Sequence, residues 1–426
     1  MVEAPLEDQV ELGKKLSHLP RTFEAFGDTN FRWFFASLFG NFASMNMQMF
    51  VRGWLVFEIT GSYEKLGWMT AAGGFVGLFA APLGGVVADR VKQKKYIVQI
   101  SQGLNAIIAL SVGLLISFDR LVFEHLLIAS IVQGLVMNAM MPSRQALTKD
   151  VVGLHRLTNA IALSTSGMNT ARLLLPGIAG GMVAALGGGD GYIEPAKWVY
   201  FLMTILYLLG VIMMFKVKVD DSIAENPVGP ILTELTLGFR YVLQTPIILM
   251  LLGCNFLMVF FSMTYFMLLP GFAKQVLDAG PDRLGLLISI SGLGSLVGSL
   301  LVAGMPNRNR ARVLLLGAML LGISLVFFSL STNYWLSMAL LTIVGFGQSA
   351  RMSLSNVLIQ TYVDDNFRGR VMSIYMLEMS ILSVSIYPIS VLADLVGPQW
   401  AVGTSGFCLV IFIAILFRIP AYRDLD

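Results

Sequence analysis

Residues 66–117 read LGWMTAAGGFVGLFAAPLGGVVADRVKQKKYIVQISQGLNAIIALSVGLLIS. Two apolar runs, 66–88 and 96–117, flank a short segment carrying Asp89, Arg90, Lys92, Lys94 and Lys95. Each run reaches roughly the 20 residues that an α-helix needs to cross a bilayer. Hydrocarbon offers the backbone no water partner, so such runs become helices. The stretch therefore reads as two membrane spans joined by a cationic turn.

The same pattern extends outward through all 426 residues. Apolar runs predict twelve spans, at 33–58, 66–88, 96–117, 123–142, 157–187, 197–215, 246–270, 283–304, 313–331, 335–353, 371–395 and 401–418. The expected fold class is an all-α integral membrane protein. Hydrophobic types make up 56% of the chain and charged types 13%, with a mean hydropathy of +0.74. Soluble domains carry roughly 25% charged residues. This composition excludes a soluble enzyme, a nucleic-acid binder and a disordered chain. Cys254 and Cys408 fall inside apolar runs, so neither a disulfide framework nor a metal centre is expected. No phosphate-binding glycine loop or catalytic triad appears, and no cofactor is expected. The first 30 residues are polar and mixed in charge, which predicts no cleaved signal peptide.

The basic residues set the expected orientation. Of 29 Lys and Arg, only Lys65, Arg120, Lys197, Lys274 and Arg283 fall outside or at outer helix ends once the N-terminus is placed inside. Arg52 and Arg172 lie within spans. This bias predicts both termini in the cytoplasm of a bacterial-type plasma (inner) membrane. The expected layout is a cytoplasmic segment 1–32, a six-helix bundle 33–215, a cytoplasmic linker 216–245, a second bundle 246–418 and a tail 419–426. Within the linker, Ile231, Leu232, Leu235, Phe239, Val242 and Leu243 share one helical face. That face predicts a helix on the membrane surface or packed on the bundle. The halves read as repeats. Leu66-Gly67 matches Leu284-Gly285, and at the same offset Asp89 falls on Asn307 and Arg90 on Arg308.

The segment from Gly85 through Asp89 and Arg90 to Lys94 and Lys95 resembles the signature loop of the major facilitator superfamily. Lys92 stands where that signature has its second glycine. Span 5 carries Arg172-Leu173-Leu174-Leu175-Pro176-Gly177, similar to the Gly-Pro motif of the superfamily's exporters, with Leu175 where glycine is common. Pro142-Ser143-Arg144-Gln145, Asn30-Phe31-Arg32 and Phe367-Arg368-Gly369-Arg370 resemble the branch that includes bacterial macrolide efflux proteins and the enterobactin exporter. The resemblance implies two rocking six-helix halves and export of an amphipathic small molecule in exchange for protons. It also implies a monomer in the lipid bilayer. Asp89 would then latch the start of span 11 beside Arg368 and Arg370, where a helix N-terminus favours a carboxylate.

Ionisable groups inside spans are costly and usually functional. Glu378 is the one acid well inside a span, and it is the candidate proton carrier. A structural ion pair or a wet crevice is the alternative. Glu58 and Asp394 fall near outer ends, within reach of water. Polar stripes mark a substrate cavity: Asn41, Gln48 and Arg52 on span 1, and Asn169 and Arg172 on span 5; the resemblance implies that span 4 lines it too, where Gln133 and Asn138 are the candidates. Asn255 and Tyr265 continue the set on span 7, and Gln348 and Arg351 on span 10. Interhelical hydrogen bonding is the plainer role for each amide. The arginines also suit an anionic substrate, so a siderophore or lysophospholipid carrier is a rival reading. A non-transporting membrane sensor or partner subunit is another.

Overall fold

The computed structural model describes residues 21–90, 93–219, 231–305, 308–364, 367–423 and 425. Of 78–90 the backbone path alone is described. The segment before 21, most of the linker up to 230, and Asn307 lie outside the described residues. A 3₁₀ helix, Arg21–Gly27, leads into α1 (Thr29–Thr60), α2 (Tyr63–Arg90) and α3 (Lys94–Ser117). Next come α4 (Phe123–Ala185), α5 (Ala196–Phe215) and α6 (Ile231–Gln244). The second group is α7 (Pro246–Gln275), α8 (Pro281–Ala303), α9 (Arg310–Leu330), α10 (Tyr334–Tyr362), α11 (Arg368–Met376), α12 (Glu378–Val396), α13 (Pro398–Phe417) and α14 (Pro420–Arg423).

Local chemistry sets the helix ends. The Asp28 carboxylate accepts the Asn30 N–H at 2.7 Å and caps α1. Gly61, at φ +62°, turns its N–H back to Phe57 O and ends it. Among the described residues, seven helices are long and apolar enough to cross a bilayer: α3, the first limb of α4 (Phe123–Gly153), α5, α7, α8, α9 and α13. Large apolar side chains such as Ile100, Ile107, Leu300 and Phe327 point outward, more than half exposed. Such surfaces belong against lipid.

Two expectations are corrected. The segment 143–156, expected as a loop between spans, is helical: α4 runs through Pro142 and breaks only at Gly153 (φ +69°, ψ 174°). A straight helix of its 63 residues would reach about 95 Å. Instead the chain doubles back at the one residue that tolerates this backbone. Ser130 donates to Met69 O near the α1–α2 turn, Asn159 accepts from Ala25 N at the opposite end, and Gly177 returns to α8. Span 11, expected as one run over 371–395, is divided at Leu377 into α11 and α12.

α1 packs on α4 and α5, α2 on α4, and α3 on α5. In the second group α8 packs on α10, and α9 on α10 and α13. The groups meet along two seams, α2 with α12 and α4 with α8. Both described chain ends lie at one end of the bundle, called proximal here. There Asn30 exchanges hydrogen bonds with Lys218, and Ala311 N donates to Leu425 O. The α1–α2 turn marks the distal end.

α6 occupies 231–244, inside the amphipathic stretch read from the sequence. It lies on α11: Tyr241 stacks on Phe367 at 4.2 Å, and its hydroxyl donates to Asp364 Oδ2 at 3.1 Å. Leu237, Phe239 and Leu243 stay exposed along it.

Candidate functional site

Glu378 opens α12, in the first turn after the break, where the macrodipole favours a carboxylate. α7 and α10 bring two partners to it. Asn255 Nδ2 donates to Glu378 Oε2 at 2.6 Å, and Arg351 NH1 donates to Asn255 Oδ1 at 2.9 Å. Arg351 NH2 completes the ring to Glu378 Oε1 at 3.4 Å. The Arg351 side chain is 1% exposed and that of Glu378 7%. Three residues read separately in the sequence thus form one buried triad. Nearby, Arg351 Nε and both polar atoms of the Gln348 side chain have no hydrogen-bond partner among the described residues.

A second cluster lies in the first group. Arg52 NH1 donates to Gln133 Oε1 at 3.1 Å, linking α1 to α4. Tyr200 and Tyr207 of α5 lie within electrostatic reach of Arg52. Asn41 contacts Met140 Sδ at 3.8 Å, and Gln48 is buried. Asn138 returns to Gly134 O in its own helix, an ordinary helical bond. Asn169 and Arg172 are half-buried on the second limb of α4. Tyr265 is buried, 3.3 Å from Ser291 Oγ, with Arg172 within electrostatic reach.

The distal seam is closed by residues to which the sequence assigned no role across the groups. Asp394 of α12 caps α2: Oδ1 accepts Tyr63 N at 2.8 Å, and Oδ2 accepts Glu64 N and Ser62 Oγ, each at 2.7 Å. Tyr387 donates to Glu64 Oε1 at 3.0 Å. Glu58, expected within reach of water, has its side chain 4% exposed, paired with Lys274 of α7. Along the other seam the backbones touch. A Cβ on Gly180 would sit 2.3 Å from Pro281 O, and one on Gly285 2.5 Å from Pro176 O. Small residues permit such approaches.

The expected proximal latch is only partly visible. Gly85, Asp89 and Arg90 lie on the last turns of α2, whose side chains are outside the described residues. Lys94 opens α3, half-buried. Lys95 Nζ donates to Phe215 O at 3.1 Å and Val217 O at 2.5 Å, within its own group. Arg368 and Arg370 begin α11, and Arg370 lies 5.1 Å over the Phe367 ring. No group of metal-ligating side chains occurs among the described residues.

A helical bundle with a buried ion pair at a helix break and two seams between its groups is the architecture of a membrane transporter. The family model described as Major Facilitator Superfamily matches residues 34–384 and 251–424. The chain belongs to that superfamily, whose members carry small molecules across membranes. It is 24% identical to a staphyloferrin A transporter of Staphylococcus aureus, over 74% of this chain and 77% of the relative. It is also 24% identical to the multidrug efflux pump Tap of Mycolicibacterium fortuitum, over 88% and 91%. Among solved structures, a mutant form of the nucleoside transporter NupG superposes with a TM-score of 0.73 at 11% identity. That likeness covers 91% of this chain and 98% of the other.

Proposed function

We propose that this chain exports an amphipathic small molecule across the plasma (inner) membrane by alternating access, in exchange for protons. In this reading twelve spans form two six-helix halves, 33–215 and 246–418. α4 contributes two spans, and α11 with α12 contributes one. The proximal end faces the cytoplasm, α6 lies on the inner membrane surface, and the protein acts as a monomer. Similarity to a multidrug efflux pump and the placement of the basic residues support the direction.

The observation that carries the coupling is the Arg351–Glu378–Asn255 triad. A proton on Glu378 removes the charge that faces Arg351, so the ring of bonds loosens. Loss of the proton restores it. A buried pair left half-neutralised is strongly disfavoured, so protonation is tied to a change in how α7, α10 and α12 meet. Asp394 holds the distal seam in the proximal-open state. Asp89, with Arg90, Lys94 and Lys95, holds the proximal seam against Arg368 and Arg370 in the opposite state. Asn41, Gln48, Arg52, Gln133, Asn138, Asn169, Arg172, Tyr265 and Gln348 shape the substrate path.

The test is dye accumulation in an efflux-deficient bacterium expressing the protein or Glu378→Gln at equal levels, with and without a protonophore. Lower accumulation that reverses with protonophore and disappears in Glu378→Gln is the expected result. Efflux that persists in Glu378→Gln would remove that carboxylate from the coupling step. A second reading, a carrier of acidic siderophores or lysophospholipids, is favoured by the half-buried Arg52 and Arg172.

A further inference from the structure

Resting on the export reading, we infer that Arg52, Gln133 and Tyr200 receive an anionic group, a carboxylate or phosphate, on the transported molecule. Donors outnumber acceptors around Arg52. A guanidinium offers five N–H donors and no acceptor. Arg52 gives one to Gln133 Oε1 at 3.1 Å. That bond leaves the Gln133 amide nitrogen, buried, with no partner among the described residues. The Tyr200 hydroxyl is likewise buried and without a partner, on a side chain 1% exposed. Tyr200 lies within electrostatic reach of Arg52, as does Tyr207.

Several described cations have carboxylate partners: Arg156 with Glu24, Lys197 with Glu194, Lys274 with Glu58 and Arg351 with Glu378. Among the described residues Arg52 forms no such pair. Around its positive charge two buried donors, Gln133 Nε2 and the Tyr200 hydroxyl, find no partner among the described residues. Burying such groups unpaired is costly. Carboxylates and phosphates match the guanidinium fork and supply the missing acceptors.

The place suits a ligand. Arg52 keeps accessible surface, whereas the Arg351 side chain is enclosed and already neutralised. A Cβ on the next residue, Gly53, would lie 3.2 Å from Pro270 of α7, so Arg52 is one residue from the contact between the two groups. Movement of one group against the other alters access there.

The test uses the full chain in lipid nanodiscs, titrated with octanoate, octyl phosphate, octanol and octyltrimethylammonium while the unfolding midpoint is followed. The expected result is a rise with the two anions and none with octanol or the cation. Arg52→Gln should weaken the apparent anion affinity by about tenfold or more, the loss of a charge-assisted bond. Arg52→Lys should keep part of it. If Arg52→Gln does not fold, Gln133→Leu and Tyr200→Phe carry the test, because both keep the charge. An unchanged anion preference in those two overturns the inference. So does equal response to octanol. A chloride-for-gluconate exchange that reproduces the whole shift, with nothing added by octanoate, overturns it in favour of an inorganic ion. Dye efflux run in parallel separates the two readings. Proton-driven efflux without anion preference leaves export standing and removes this site. An anion-specific shift without efflux of any dye removes export.

Discussion

At the scale of single residues, the triad shows how far chemistry was readable before geometry. Glu378 stood out because charges are rare inside spans. Arg351 and Asn255 stood out as cavity polars. Their union did not, because Arg351 lies 96 residues from Asn255 and 27 from Glu378, on separate helices. No local pattern encodes that meeting. The triad also sets a stability prediction. Arg351→Leu strands a buried carboxylate and should cost about 3–5 kcal/mol. Arg351→Leu combined with Glu378→Leu should recover most of that loss, while transport stays abolished. Denaturation of both variants in bicelles measures the coupling. Additive losses in the double variant would mean the two side chains do not sense each other.

At the scale of elements, apolar runs located the helices, but their interruptions were hidden. Gly153 reverses a chain that is helical on both sides, and the expected loop there was polar enough to look unstructured. Leu377 breaks span 11 without a glycine or proline at the break. The α4–α8 seam was legible only as the Gly-Pro motif at Pro176-Gly177, whose role depends on which face meets a neighbour. Gly180 and Gly181 separate the two cases. A side chain on Gly180 collides with the Pro281 carbonyl, whereas nothing lies within 4 Å of a Cβ on Gly181. Gly180→Leu should therefore wedge the seam open and abolish efflux, and Gly181→Leu should leave efflux near wild type. Both are measured at matched membrane levels. Equal loss in both would assign the effect to helix propensity or insertion instead of the seam.

At the scale of the whole molecule, the two seams define one state, closed at the distal end. Asp394 was legible as an acid near a helix end, and its reach across the groups was not. The Ser62–Asp394 contact gives a direct check on rocking. Ser62→Cys with Asp394→Cys, in a background lacking Cys254 and Cys408, should cross-link under mild oxidation. Cross-linking should stop transport, and a reductant should restore it. Full transport by the cross-linked protein would show that the distal seam need not open.

The helix α6 has a mechanical consequence at this same scale. It is fastened to the start of α11 by the Tyr241–Phe367 stack and the Tyr241–Asp364 bond. With its apolar face set among lipid headgroups, as proposed, α6 behaves as a float on a lever. α11 cannot swing without dragging that float through the headgroup layer. Each swing then displaces headgroups, and lipids that crowd the headgroup plane should slow the turnover of a protein whose substrate path they never touch.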